Sequence, residues 1–193
     1  MRNLAAVSTL LLAACGGSSA RAPSPLAPNE PLGQPCVARM LAMPQTDEST
    51  FAPLDVGADW QSYRKINEAS FPSKTHGGRW VDVYVNAAGA DVYAKDDPFP
   101  EGTVIVKTSV EDAGGKPGTV AGPIFVMRKE AAGYAPDHED WSYAIHWAEP
   151  TPAQAKLLGG PIYWRGRSAK VEYCWKCHDN YDRSVGGVPR ESR

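Results

Sequence analysis

Near residue 70 the spacing of apolar positions along this chain changes from three and four to two. Val56, Trp60, Tyr63, Ile66 and Ala69 recur at helical intervals, which predicts an amphipathic helix over Val56 to Ser70 that Phe71-Pro72 brings to a stop. Beyond it the period shortens. Arg79 to Asn86 puts Val81, Val83 and Val85 on one face and Trp80, Asp82 and Tyr84 on the other, the pattern of a strand. Residues 102–109 (GTVIVKTS), 119–128 (TVAGPIFVMR) and 141–148 (WSYAIHWA) are rich in Val, Ile, Tyr and Trp and read as further strands. Turn residues fall between them at Ala88-Gly89, Asp97-Pro98 and Gly114-Gly115. These gaps leave no room for crossover helices, so an antiparallel sheet in sequence order is expected. Thr151 to Leu158 adds a short helix with Thr151 as cap and Pro152 at its first position. Ala169 to Asp179, without Gly or Pro and preceded by Ser168 as cap, adds a C-terminal one. The expected class is α+β: an antiparallel β-sheet with flanking helices, the last of them at the C-terminus.

Charge and composition narrow the class of partner. The formal charge is −2 and no basic patch stands out, so nucleic acid is not an expected partner. Arg2 is followed by an apolar run from Leu4 to Ala14, too short to span a membrane, that closes with Leu12-Ala13-Ala14-Cys15. This reads as a signal peptide of lipoprotein type over residues 1–14, with Cys15 the lipidated first residue of the mature chain. Gly16 after it points to outer-membrane sorting. Residues 15–45, densest in Pro, Ser, Ala and Gly between Gly16 and Gln34, cannot bury a core and read as a tether. Residues 46–193 are then one folded domain, facing the bacterial periplasm on a lipid anchor.

The candidate chemistry lies near the C-terminus. Cys174-Trp175-Lys176-Cys177-His178 is a C-x-x-C-H sequence, the attachment signature of a c-type haem. On a helical turn the two sulfurs project to one edge, where each thiol can add to a porphyrin vinyl group, and the next residue can turn its imidazole to the iron. Haem c with its iron is the expected cofactor, held by Cys174, Cys177 and His178, with His178 as metal ligand. Three plainer readings compete. A thioredoxin-like redox pair belongs at the start of a helix in a βαβ unit, a pattern this chain lacks. A structural zinc site wants four ligands, where the segment offers three and Cys36 stands alone in a proline-rich stretch. A plain disulfide is the third. With Cys15 assigned to lipid and Cys174 and Cys177 to haem, Cys36 is left over as a free thiol or an intermolecular bridge.

A late haem motif on a β-rich body separates this chain from small helical cytochromes, which carry the motif early, and from four-helix cytochromes, which lack strands. Arg79-Trp80-Val81-Asp82-Val83-Tyr84-Val85-Asn86, Phe99-Pro100-Glu101-Gly102-Thr103-Val104-Ile105-Val106-Lys107, Phe125-Val126-Met127-Arg128-Lys129, Gly133-Tyr134, Asp140-Trp141 and the Cys174 to His178 motif follow one another in an order and spacing that resembles the cytochrome P-460 family and its relative cytochrome c′-beta. The resemblance implies a mono-haem site with His178 on one side of the iron and an open position on the other. That position binds small nitrogen ligands, nitric oxide or hydroxylamine, and carbon monoxide is a further candidate. It also implies a lysine cross-linked to the porphyrin edge, which is Lys107 here. Lys107 shares a strand face with Thr103 and Ile105, so it is either held among core residues or snorkels to the sheet edge. In hydroxylamine-oxidising members an acidic residue stands over the open iron face. Alignment on Lys129 and Trp141 puts Phe125 there, an apolar cap that cannot act as a base and that suits a neutral diatomic. A periplasmic redox cytochrome and a second copy in a homodimer are the implied protein partners.

Other side chains are candidates for the iron's sixth position. Met127 is expected on the sheet face opposite Phe125, as core. His146, between Ile145 and Trp147, reads as a sheet histidine, while His76 and His138 read as exposed on turns. Three functions remain: a lipid-anchored haem protein that captures nitric oxide, an oxidoreductase acting on hydroxylamine, and a six-coordinate electron-transfer protein. Phe125 favours the first and Lys107 the second.

Overall fold

The computed structural model describes residues 60–95, 97–166 and 169–193. The leader, Cys15, the tether, Cys36, the start of the expected helix at Val56 and the cap candidate Ser168 lie outside the described residues.

Alternation of apolar and polar positions carries the fold. The strands are β1 (Arg64–Lys65), β2 (Phe71–Ser73), β3 (Arg79–Val85), β4 (Val104–Asp112), β5 (Pro117–Ala121), β6 (Ile124–Lys129), β7 (Trp141–Trp147) and β8 (Ile162–Gly166). They form one sheet of 8 strands along the path β1-β3-β4-β6-β7-β8, with β2 also on β3 and β5 also on β4. Every pairing is antiparallel. Helices α1 (Ala87–Ala90), α2 (Pro152–Leu158) and α3 (Glu172–His178) complete the α+β architecture.

The two faces of the sheet have different neighbours. Val81, Val83, Val85, Ile105, Met127, Trp141, Tyr143, Ile145 and Trp164 are buried on one face, and Tyr173, Cys174 and Trp175 of α3 pack on it. Val104, Val106 and Val126 form a smaller cluster on the other face beneath Trp60, Tyr63 and Tyr84. Trp141 is 0% exposed, and truncating a tryptophan so placed to alanine costs about 3–5 kcal/mol.

Local rules explain most element ends. Asn86 caps α1, its side chain accepting from Gly89 N, and it also accepts from Val104 N at 3.0 Å, which ties the end of β3 to the start of β4. Thr151 caps α2 as expected, and Gln154 joins it in a capping box. Two expectations are corrected. Within the described part of the helix expected from Val56 to Ser70 there is a 3₁₀ turn (Trp60–Ser62), then β1 and an irregular run along β3. The cause is Asn67: its buried side chain accepts from Val83 N at 2.8 Å and donates to Asp82 Oδ1 at 2.8 Å, bonds that a helix would forgo. The stretch 119–128 is two strands, split at Gly122-Pro123. Pro123 has no N–H to give a ladder, and a Cβ on Gly122 would lie 2.5 Å from both Arg79 Nη1 and Ser109 Oγ.

Candidate functional site

The sheet register decides which side chains meet. Ile105 pairs with Met127 and Lys107 with Phe125 between β4 and β6, while Met127 pairs with Tyr143 and Phe125 with Ile145 between β6 and β7. Residues two apart in a strand share a face. Met127 therefore lies on the same face as Phe125, which corrects its expected place on the opposite one. α3 packs on this face, and between helix and sheet lies a cavity of about 300 Å³ whose lining includes Lys107, Phe125, Tyr143, Cys174, Cys177 and His178. The residues named from the sequence motif and those named from the resemblance thus share one chamber, although Lys107 and Cys174 are far apart in the chain.

α3 places the motif by ordinary helical geometry. Glu172 and Lys176 are ion-paired on its outer side at 2.6 Å. Its inner side docks through Trp175, which stacks on His138 at 4.8 Å between ring centres and 4° between planes, and whose indole donates to Trp141 O. His138 in turn meets Asp179 Oδ2 at 2.8 Å. His138 is thus half-buried as a brace for α3, not exposed as expected. His146 meets the Tyr163 ring at 4.7 Å between centres and a 32° tilt, the sheet histidine expected.

His178 is held by the loop that follows α3. Its Nδ1 donates to the carbonyl oxygen of Ser184 at 2.6 Å. Because a carbonyl can only accept, the proton sits on Nδ1 and Nε2 carries the lone pair, the form in which an imidazole ligates a metal. Burial, with the nearby charge of Lys107, pushes this imidazole down to about 4, so it stays neutral. Ser184 is presented by strained backbone: Arg183 (φ 59) and Ser184 (φ 56) both occupy the left-handed region without being glycine. Arg183 holds that strain in place, donating to Asp97 O at 2.8 Å and Val92 O at 3.2 Å with its guanidinium 4.9 Å from the Phe99 ring centre. Nothing in the sequence motif indicates this support.

Lys107 does not snorkel to the edge. It is half-buried and lines the chamber, where desolvation pushes its amine down to about 8 and Cys174 pulls the other way. Its Nζ comes within 3.5 Å of Nε2 of His76. His76 is the main correction among the histidines. It does sit on a turn (the 3₁₀ segment Lys74–His76), but its ring enters the chamber, edge-on to Phe125 at 4.7 Å between centres and 6.4 Å from the ring of His178. Burial, then the charges of Lys107 and His178, hold it well below the usual histidine range. The signal that could have found it is the pair of hydroxyls beside it, Ser73 and Thr75, which reach its Nδ1 at 2.7 and 3.2 Å.

The chamber suits the expected haem by its donor set. Two half-buried thiols and a neutral imidazole of fixed tautomer face it together with apolar side chains. The Tyr143 hydroxyl in its wall is buried without a hydrogen-bond partner, a group that a polar substituent of a bound ligand would satisfy. Cys174 and Cys177 could hold such a group covalently and His178 could ligate its iron.

None of the curated proteins compared with this chain matches it. The pattern of the family described as Cytochrome P460 matches residues 58–184, a span that takes in every strand and ends at Ser184, the partner of His178. The chain belongs to the cytochrome P460 family, and its cofactor is haem c with iron.

Proposed function

We propose that Cys174 and Cys177 carry the haem through thioether bonds, that His178 is its axial ligand, and that small nitrogen species, nitric oxide or hydroxylamine, meet the iron on the face opposite His178. The observation that carries this reading is the fixed tautomer of His178 at a chamber shared with both thiols. Attachment needs no oxidant: each S–H adds across a vinyl double bond, a C–S bond forms, and the proton ends on the neighbouring carbon. The haem supplies an iron centre that binds small nitrogen ligands. The protein's part is to orient that iron through His178 and to exclude water with Phe125, Ile105 and Met127, a wall suited to a small neutral molecule. The proposal includes a lipid anchor on Cys15 and exposure to the bacterial periplasm with a redox cytochrome as partner, readings supported by the first fifteen residues and by the haem motif.

The test is the full chain expressed with c-type haem maturation machinery. Intact mass under denaturing conditions is expected to show one haem retained, absent when Cys174→Ser and Cys177→Ser are combined. The ferrous protein is expected to change its optical spectrum with nitric oxide. Protein that folds but loses its haem on denaturation would overturn the attachment. Hydroxylamine turnover with a cytochrome acceptor, present or absent, separates an enzyme from a binding protein.

A further inference from the structure

Two histidines, from opposite ends of the described chain, face the same chamber. His178 comes from α3 and His76 from the turn before β3, with ring centres 6.4 Å apart and planes at 77°. Two imidazoles that share one metal ion put their ring centres roughly 6 Å apart, since each metal–nitrogen bond is about 2.0–2.1 Å and the ring centre lies about 1 Å beyond the nitrogen. A small ligand together with a hydrogen bond from His76 would need a wider gap than this. Both rings are also held at Nδ1. Nδ1 of His178 is engaged by Ser184 O at 2.6 Å and Nδ1 of His76 by Ser73 Oγ at 2.7 Å, which leaves Nε2 as the other nitrogen of each, that of His76 lying 3.5 Å from Lys107 Nζ.

Resting on the haem assignment above, we propose that His76 is the second axial ligand of the iron, through Nε2, and that an incoming nitrogen species binds by displacing it. The two ligands differ in how firmly the backbone holds them. His178 is set in a helix braced by Trp175 and by the Ser184 loop. His76 ends a three-residue turn followed by Gly77 (φ 80) and Gly78 (φ 68), residues whose left-handed backbone allows the turn to move with little steric cost. Phe125, against the His76 ring, fills part of the space a departing imidazole would leave. The iron site then has a fixed ligand on one side and a displaceable one on the other.

The test is spectroscopic. The haem-loaded full chain is expected to be low-spin and six-coordinate when ferric, by optical and electron paramagnetic resonance spectra. His76→Ala is expected to be high-spin, and added imidazole is expected to return it to low-spin. His146→Ala, a histidine on β7 outside the chamber, is expected to leave the spectra unchanged. Carbon monoxide binding to the ferrous wild type is expected to level off in rate as carbon monoxide rises, limited by departure of His76, and to rise in proportion in His76→Ala. A high-spin wild type overturns the proposal without recourse to any variant. So does a folded His76→Ala that stays low-spin, since another group would then be the ligand. A chain that takes up no haem removes the parent reading and this one together, whereas a covalent haem indifferent to His76 removes this one alone.

Discussion

Nδ1 of His178 lies 2.6 Å from the carbonyl oxygen of Ser184, six residues on, and Ser184 reaches that place through two consecutive left-handed residues. The bond sets which nitrogen is available to a metal, and an acceptor facing the Nδ1–H makes the opposite nitrogen more basic. Arg183→Ala removes two hydrogen bonds and a cation–aromatic contact from this loop. Denaturant unfolding is expected to show a loss of about 1–3 kcal/mol. In the haem-loaded chain the reduction potential is expected to move positive, because a less basic His178 stabilises the ferric iron less. A potential unchanged beside a clear loss of stability would make Arg183 structural only.

Gly89 lies where α1 passes over β4. A Cβ there would sit 2.3 Å from Thr103 Cγ2 and 3.1 Å from Val85 Cγ1. Thr103 is 0% exposed and cannot swing away. Gly89→Ala is therefore expected to destabilise by about 1–3 kcal/mol despite alanine's better helix propensity. Thermal unfolding of Gly89→Ala alone and combined with Thr103→Ser, which removes the offending methyl, checks the mechanism: the pair is expected to recover part of the loss.

Asp82 supplies the pH dependence. Burial by itself would push its carboxyl up, but hydrogen bonds from Asn67, Ser70 and Lys65 together outweigh it and hold the group below the ordinary carboxylate range. A lowered folded value means stabilisation that is present above the unfolded value and is lost as pH falls through the folded one. Asp82→Asn is expected to be less stable than wild type near neutral pH, with the gap closing as pH is lowered through the acidic carboxylate range. Urea titrations across that range check it, and a gap that widens with acid would contradict the assignment.

Lys107 stands in an apolar chamber against Phe125 and Ile105. Before haem is attached, Lys107→Met removes a half-buried amine and keeps its length, and is expected to raise stability by about 1 kcal/mol. In the loaded chain, joining Lys107 to the porphyrin edge would exchange one N–H and one ring C–H for an N–C bond and release two protons and two electrons to an oxidant of the peroxide class. Peptide mapping after treatment with and without peroxide is the measurement. A haem-bearing peptide that includes Lys107 is expected only in the treated sample, accompanied by a red-shifted Soret band that Lys107→Met lacks.

The sheet was legible where period-two alternation was strong, as in Val81, Val83 and Val85, and the haem motif was legible because its chemistry is written in adjacent residues. What is set by distant partners was not. Asn67 turns a helical-looking stretch into an irregular sheet edge by reaching Val83 and Asp82, bonds with no local signature. β8 (Ile162–Gly166) follows Gly159-Gly160-Pro161 and is recognisable as a strand mainly because β7 accepts it, Ile145 opposite Trp164. Met127 was misplaced by a neglected period of two, an error that register alone corrects. His76 was hidden because Thr75-His76-Gly77-Gly78 has the composition of an exposed turn, and only the approach of β4 and α3 makes it an interior one.

All ladder pairings of β1 to β8 are made by residues up to Gly166, and α3 contributes to none of them. The strands that form the sheet side of the chamber therefore all precede the thiols in the chain. The sheet can be complete while Cys174 and Cys177 are still on an extended tail that an attachment enzyme can grip, and the brace of Trp175 on His138 would then follow. With the haem motif placed after the sheet, cofactor loading would be the closing move of folding, the porphyrin carried onto strands already paired.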